Sequence, residues 1–314
     1  MKNNRFIFLL LTFYIFISCK TKKINKPYLS KMEKFDWEGH RGCRGLLPEN
    51  TNEGFLKALS FPEITTLEMD LAVSKDHQLV VSHEPWMSDE ICSYDNGTPI
   101  NYSQNIDQFI SIYNNLYSDI KKYDCGSRGN PRFKDQIPMK TYKPTLREVI
   151  KNVKSYCEVN KRNFPKFNIE IKTRPEWDNI FTPDVNIFCD LILETVRKEF
   201  PTDYSSIFII QSFDIRALES IKKKDNTIKI AYLIENGNDF KSNMNKLTFV
   251  PDIYSPKYSI VDSVLISKCK ELNMKVIPWT VNSTNEMKQL IQLGVDGIIT
   301  DYPNLISEVI SIYH

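Results

Sequence analysis

The sequence is short of several things, and each shortage excludes a class of protein. Lysine and arginine number 41 against 39 aspartate and glutamate, so no broad field of one sign exists to draw a nucleic acid. Any pull on an anion must be local. No set of cysteines and histidines has zinc spacing, and histidine occurs only at 40, 77, 83 and 314. Past residue 34 there is no long Gly/Ser/Pro-rich linker, which favours one domain. A chain of 314 residues suffices for a barrel of parallel strands, which uses ~250. The apolar run at 6–17 falls short of the ~20 residues that a spanning helix needs.

That run has instead the length of a signal-peptide core. Lys2 and Arg5 precede it, and Phe16-Ile17-Ser18-Cys19 closes it like a bacterial lipobox, in which Cys19 is acylated and becomes the mature N-terminus. The expected product is an exported bacterial lipoprotein anchored to a membrane by its lipid, facing the periplasm or the cell surface. It has a leader at 1–18, a polar, lysine-rich tether at 19–34 and a folded domain at 35–314. With Cys19 set aside, Cys157, Cys189 and Cys269 fall in apolar-periodic segments and read as buried thiols. Cys92 and Cys125 share one irregular stretch and are the pair best placed to bond in a compartment that permits it.

The pattern centres on Gly39-His40-Arg41-Gly42-Cys43-Arg44-Gly45, followed by Leu46-Leu47-Pro48-Glu49-Asn50-Thr51. A short apolar run ends in an imidazole and a guanidinium, a glycine-rich turn follows, and a helix opens. A parallel barrel presents chemistry in this way at the carboxyl rim of a strand. Asn50 and Glu53 are spaced as a capping box for that helix. Alternation at 65–73 sets Leu67, Met69 and Leu71 on one face and Glu68 and Asp70 on the other. The run 79–83, ending in His83, either returns as a hairpin or forms the next barrel strand. Residues 84–143 have weak periodicity but many aromatics, including Trp86 and Tyr102, which implies a packed insertion or lid beside the rim.

From Thr145 the order is regular. Thr145 and Glu148 cap a helix to about 159, and strand 167–172 follows with Glu170 and Lys172 on its polar face. Then come a helix at 185–200, a strand at 207–211, a helix capped by Asp214, and strands at 229–234 and 253–254. A helix at 263–272, a strand at 275–281, a helix capped by Ser283 and Glu286 and ended by Gly294, and a strand at 297–301 complete the series. This alternation predicts an α/β fold, a (β/α)8 TIM-type barrel with an insertion after the His83 strand. Nine strand-like segments are present where eight are needed, so one is a hairpin or a short rim strand.

Barrel strands are buried on both faces, so their acids need a partner. Glu68, Asp70 and Glu170 offer hard oxygen donors suited to Ca2+ or Mg2+. His40 and His83 each end an apolar run and together suggest an acid and base pair, whereas solvation explains His77 and His314. Arg41 and Lys172 add cations beside the acids, a setting for a doubly bonded anion, of which phosphate is the commonest. Lys172 also reads as a salt-bridge partner of Glu170.

These residues resemble the glycerophosphodiester phosphodiesterase family, within the wider group of barrel phosphodiesterases that includes the phosphoinositide-specific phospholipases. The resemblance runs from about 38 to 303. It rests on Gly-His-Arg-Gly with Pro-Glu-Asn-Thr (39–51), Glu68-Met-Asp70, His83-Glu84, Ile169-Glu170-Ile-Lys172, Gln211-Ser-Phe213, Trp279-Thr-Val-Asn282 and the run from Gly294 to Asp301. It implies metal-dependent hydrolysis of a small glycerophosphodiester to glycerol 3-phosphate and an alcohol. It further implies that Glu68, Asp70 and Glu170 hold the metal, that His40 and His83 serve as general base and acid, and that Arg41 and Lys172 bind phosphate. Phe213 and Trp279 would line the pocket. Two features depart from the family: Glu84 stands where Asp is frequent, and the insertion at 84–143 is long. Two other readings share the barrel. One is an enzyme of lipid head groups, like a phospholipase or sphingomyelinase D; the other is a non-catalytic ligand-binding lipoprotein, which would lack some of these residues.

Overall fold

The computed structural model describes residues 34–102, 108–235 and 239–311; the leader, Cys19, the tether up to residue 33 and His314 lie outside the described residues. The alternating segments become β1 (Asp36–Gly39), β2 (Thr66–Val73), β3 (Leu79–Val81), β4 (Lys166–Ile171) and β5 (Phe208–Ser212). Next follow β6 (Lys229–Ile234), β7 (Ile253–Pro256), β8 (Lys275–Val276) and β9 (Gly297–Thr300). Eight run parallel in the order β8-β7-β6-β5-β4-β2-β1-β9. The surplus strand is β3, which folds back antiparallel on β2 with Leu71 opposite Val81, so the hairpin alternative holds.

Strand 275–281 is regular only over Lys275–Val276, because Pro278 has no N–H to donate. Its extended continuation still joins the two ends of the sheet. Asp296 N donates to Val276 O at 2.9 Å, Ile299 N to Pro278 O at 3.0 Å and Val281 N to Ile299 O at 2.9 Å. The result is a nearly closed barrel of eight parallel strands wrapped by helices, a (β/α)8 architecture.

Helix ends follow local chemistry. Thr145 and Glu148 complete both arms of a capping box, Asp214 and Ser283 accept from Arg216 N and Glu286 N, and Gly294 ends helix Thr284–Leu293 at φ 103°. One cap differs from the spacing argument. Helix Asn52–Leu59 is capped by Thr51, which accepts from Gly54 N, while Asn50 turns left-handed at φ 56° and gives its side chain to Asp70.

The barrel lumen is divided. On one side Ile209, Ala231, Ile253, Ile277 and Ile299 form an apolar cluster. On the side of β1, β2 and β4 the buried residues are Asp36, Glu38, Glu68, Asp70, Asn168 and Glu170. Apolar side chains such as Leu67, Met69, Phe167 and Ile169 face outward from the same strands into the helix layer. Past His83 the chain builds a second small core around Met87, Ile91, Ile100, Ile112 and Ile120, tied by a Cys92–Cys125 disulfide. Cys43, Cys157, Cys189 and Cys269 are free and buried. Among the described residues no helix is long and apolar enough to cross a membrane.

Candidate active site

His40 follows β1 directly, and the chain then turns through Arg41 (φ 48°) and Gly42 (φ 84°). A side chain on Gly42 would meet Gly54 C at 2.7 Å, so the turn requires glycine there. The turn aims Arg41 N at Glu68 Oε2, 2.8 Å away. It also lays the guanidinium among acids: Nη1 donates to Glu49 Oε1 at 2.8 Å, and Nε lies 3.1 Å from Asp70 Oδ2.

Glu68 and Asp70 alternate with Leu67, Met69 and Leu71 along β2, and the register sets Asp70 beside Glu170 of β4. One oxygen from each of Glu68, Asp70 and Glu170 therefore lies within 4.8 Å of the other two. Lys172 Nζ stands 2.8 Å from Glu170 Oε1 and 3.2 Å from Asp70 Oδ1. Gln211 Nε2 donates to Glu68 Oε1 and Asn50 Nδ2 to Asp70 Oδ2, both at 2.8 Å.

Burial and the Asp70 charge push Glu68 well above the usual carboxyl range. Burial also raises Glu170, to about 7, against the pull of Lys172. At Asp70 burial is overcome by Lys172 and Arg41, which hold it well below that range. Among the described residues Asp70 Oδ1 has the Lys172 ammonium 3.2 Å away but accepts no hydrogen bond. Three hard donors so close, two of them resisting ionisation, could hold a metal ion, whose charge would relieve their repulsion.

The two histidines are each anchored by an acid. His40 Nδ1 lies 2.6 Å from Asp301 Oδ1. Asp301 also accepts from Arg44 Nε at 2.9 Å and from Asn282 Nδ2 at 2.7 Å. Burial opposes the charge on Asp301, but His40 and Arg44 hold it below the usual carboxylate range. An ionised carboxylate only accepts, so the His40 proton sits on Nδ1 and Nε2 offers its lone pair, 3.9 Å from Glu68 Oε2. Burial and the Arg44 charge push His40 down to about 4, which keeps it neutral.

His83 follows β3 and presents Nδ1 to Glu84 Oε1 at 2.7 Å, with 31% of its side chain exposed. Burial and the Lys172 charge lower this imidazole. Glu84 is held below its usual range against burial, by the His83 hydrogen bond and then by His83 and Lys143 charge.

His40, Arg41, Glu68, Asp70, Glu170 and Lys172 thus form one contiguous cluster at the carboxyl rim. His83 adjoins it, close enough for Asp70 and Lys172 to act on its charge. Phe213 follows β5 and Trp279 lies past β8; their rings meet edge to face at 5.5 Å, with Phe213 42% exposed. Spacing alone did not single out Asp301, Arg44, Glu49, Glu84 or Gln211. Glu84, Gln211 and Asp301 carry the signal of a polar residue at or just past a strand end, whereas Arg44 and Glu49 lie in the loop between β1 and helix Asn52–Leu59.

A family model described as Glycerophosphoryl diester phosphodiesterase family matches residues 40–305. A glycerophosphodiester phosphodiesterase of Caldanaerobacter subterraneus subsp. tengcongensis is 27% identical over 273 residues, 86% of this chain and 96% of that protein. An Oleispira antarctica phosphodiesterase, solved in complex with the product sn-glycerol-3-phosphate, shares the fold at TM-score 0.68 and 22% identity, covering 90% of this chain and 99% of that one. A glycerophosphodiester phosphodiesterase from Parabacteroides distasonis does so at TM-score 0.62 and 20% identity, covering 90% and 97%.

Proposed function

The chain belongs to the glycerophosphoryl diester phosphodiesterase family, and from that premise we propose that it hydrolyses glycerophosphodiesters to glycerol 3-phosphate and an alcohol. The observation that carries this reading is the acid triad within 4.8 Å, flanked by two imidazoles that each lean on a carboxylate. Glu68, Asp70 and Glu170 would hold Ca2+ or Mg2+, which supplies charge neutralisation at the phosphoryl oxygens.

The side chains divide the remaining work. Arg41 and Lys172 donate to the phosphate, fixing it beside the acids. Neutral His40 accepts at Nε2 the proton of the substrate's neighbouring hydroxyl as that oxygen bonds to phosphorus. The bond from phosphorus to the departing oxygen breaks, and His83, its imidazolium stabilised by Glu84, delivers a proton to the alkoxide. Water then opens the cyclic phosphate with the roles exchanged: His83 takes the water proton and His40 returns one to the glycerol oxygen. Phe213 and Trp279 wall the rim where the substrate enters.

The test is a panel of glycerophosphodiesters assayed for released glycerol 3-phosphate. Glycerophosphocholine or glycerophosphoethanolamine should be cleaved, with activity lost in excess EDTA and restored by Ca2+ or Mg2+. His40→Ala and His83→Ala should each lower turnover at least ~100-fold. Cleavage only of vesicle-embedded lipid would transfer the protein to the lipid-head-group class, and full activity in EDTA would remove the metal. The lipobox-like stretch ending at Cys19 supports a membrane anchor for the same enzyme. Cys19→Ala should then move it from the membrane fraction to the soluble one.

A further inference from the structure

Lys143 lies outside every motif singled out from the sequence and takes no part in the steps above. It is only 4% exposed, yet among the described residues its ammonium enters no ion pair and no hydrogen bond. A buried lysine is ordinarily paired, because an isolated desolvated charge is costly.

Register explains where it stands. Val81 N donates to Pro144 O at 2.8 Å and Val80 bridges Thr145, so residues 143–145 run antiparallel along β3 on the side away from β2. On the other side Ser82 N donates to Asp70 O at 2.9 Å. Asp70, Ser82 and Lys143 therefore form one row across three adjacent segments, with side chains on a common face. The middle member is a small buried serine whose hydroxyl donates to Glu84 O at 2.6 Å, so no bulky group separates the lysine from the acid. Residues two strands apart are separated by roughly 10 Å, too far for Lys143 to touch Asp70 at rest but within reach of an anion bound between them.

Arg41 and Lys172 each touch two carboxylates, which is what neutralising this acidic site requires. Lys143 touches none. Burial lowers its pKa, and Glu84, Glu49 and Asp70 offset that only in part. A cation in a buried residue at the edge of the site, with no carboxylate against it, is arranged for a charge that arrives from outside. Resting on the glycerophosphodiester reading, we propose that Lys143 is a third phosphate-binding cation, its ammonium donating to a non-bridging phosphoryl oxygen on the His83–Glu84 side of the pocket.

The test compares Lys143→Met, Lys143→Gln and Lys143→Arg with the wild type, each first checked for an unchanged Tm. In the two neutral variants the KM for glycerophosphocholine and the inhibition constant of glycerol 3-phosphate should rise together by roughly 10- to 100-fold, as expected for losing a hydrogen bond to a charged group. Arginine should recover part of the loss. Both constants staying within about twofold in any folded neutral variant overturns the proposal. If neither neutral variant folds, acetylation of Lys143 in the wild type, mapped by mass spectrometry, decides: glycerol 3-phosphate should protect it, and equal labelling with and without that ligand overturns the assignment. A wild type that cleaves no glycerophosphodiester, yet binds inorganic phosphate more tightly than Lys143→Met does, sinks the functional reading and leaves the lysine assignment standing.

Discussion

A histidine serves as a base at one nitrogen only when its proton is held at the other, and Asp301 does this for His40 at 2.6 Å. Asp301→Asn keeps the shape but substitutes an amide that need not hold the imidazole in that tautomer. We expect kcat to fall ~100-fold or more with little change in KM, measured by steady-state kinetics. Glu38 lies deeper in the lumen, where Asn168 Nδ2 donates to its Oε2 at 2.8 Å and its Oε1 has no hydrogen-bond partner among the described residues. Burial and Asp36 push it from 4.5 up to about 8. The folded protein therefore keeps a proton that the unfolded chain has released, so stability falls as pH rises between about 4.5 and about 8. Glu38→Gln removes this dependence. It should match the wild type in Tm at low pH and exceed it above pH 8, and parallel Tm curves across that window would contradict the assignment.

At the scale of elements, the insertion after β3 owes its shape to a small apolar core and to the Cys92–Cys125 disulfide, which closes a separation of 33 residues. The chain-entropy argument gives about 3–4 kcal/mol for such a loop. Cys92→Ser should lower the urea midpoint and open the insertion to protease before the barrel, with the first cuts mapping between 84 and 143. Cuts appearing first in the barrel helices would show that the bond braces something else. The elements also show which parts of the fold are legible in the chain. The caps at Thr145, Asp214 and Ser283 are local chemistry and read directly. Asn50 misleads because its side chain serves Asp70, twenty residues on, rather than its own helix. Alternation could not place β3, since hairpin and barrel strand differ only in their pairing. His40, His83 and the acids of β2 and β4 were visible because each breaks or ends an apolar run. Asp301, 261 positions from His40, and Lys143, brought in by a strand pairing, were hidden because closure of the sheet, not spacing, delivers them.

At the scale of the whole molecule the charge is almost balanced, 41 against 39, so the electrostatics that matter are made by segregation. One half of the lumen is apolar and fixes the frame; the other gathers buried acids whose mutual repulsion the Arg41 and Lys172 pairs only partly cancel. A divalent ion bound among those acids would offset the cost of burying them together. Added Ca2+ or Mg2+ should therefore raise Tm, because an ion bound only by the folded state stabilises it by mass action. Burial raises Glu170 to about 7 and pushes Glu68 upward as well, so an arriving ion competes with protons for the same oxygens. The Tm gain should consequently grow as pH rises through about 7 and shrink in Glu170→Gln. A melting curve indifferent to both ions at every pH would mean that the acids are held by their own cations alone, and the barrel would lose its metal centre.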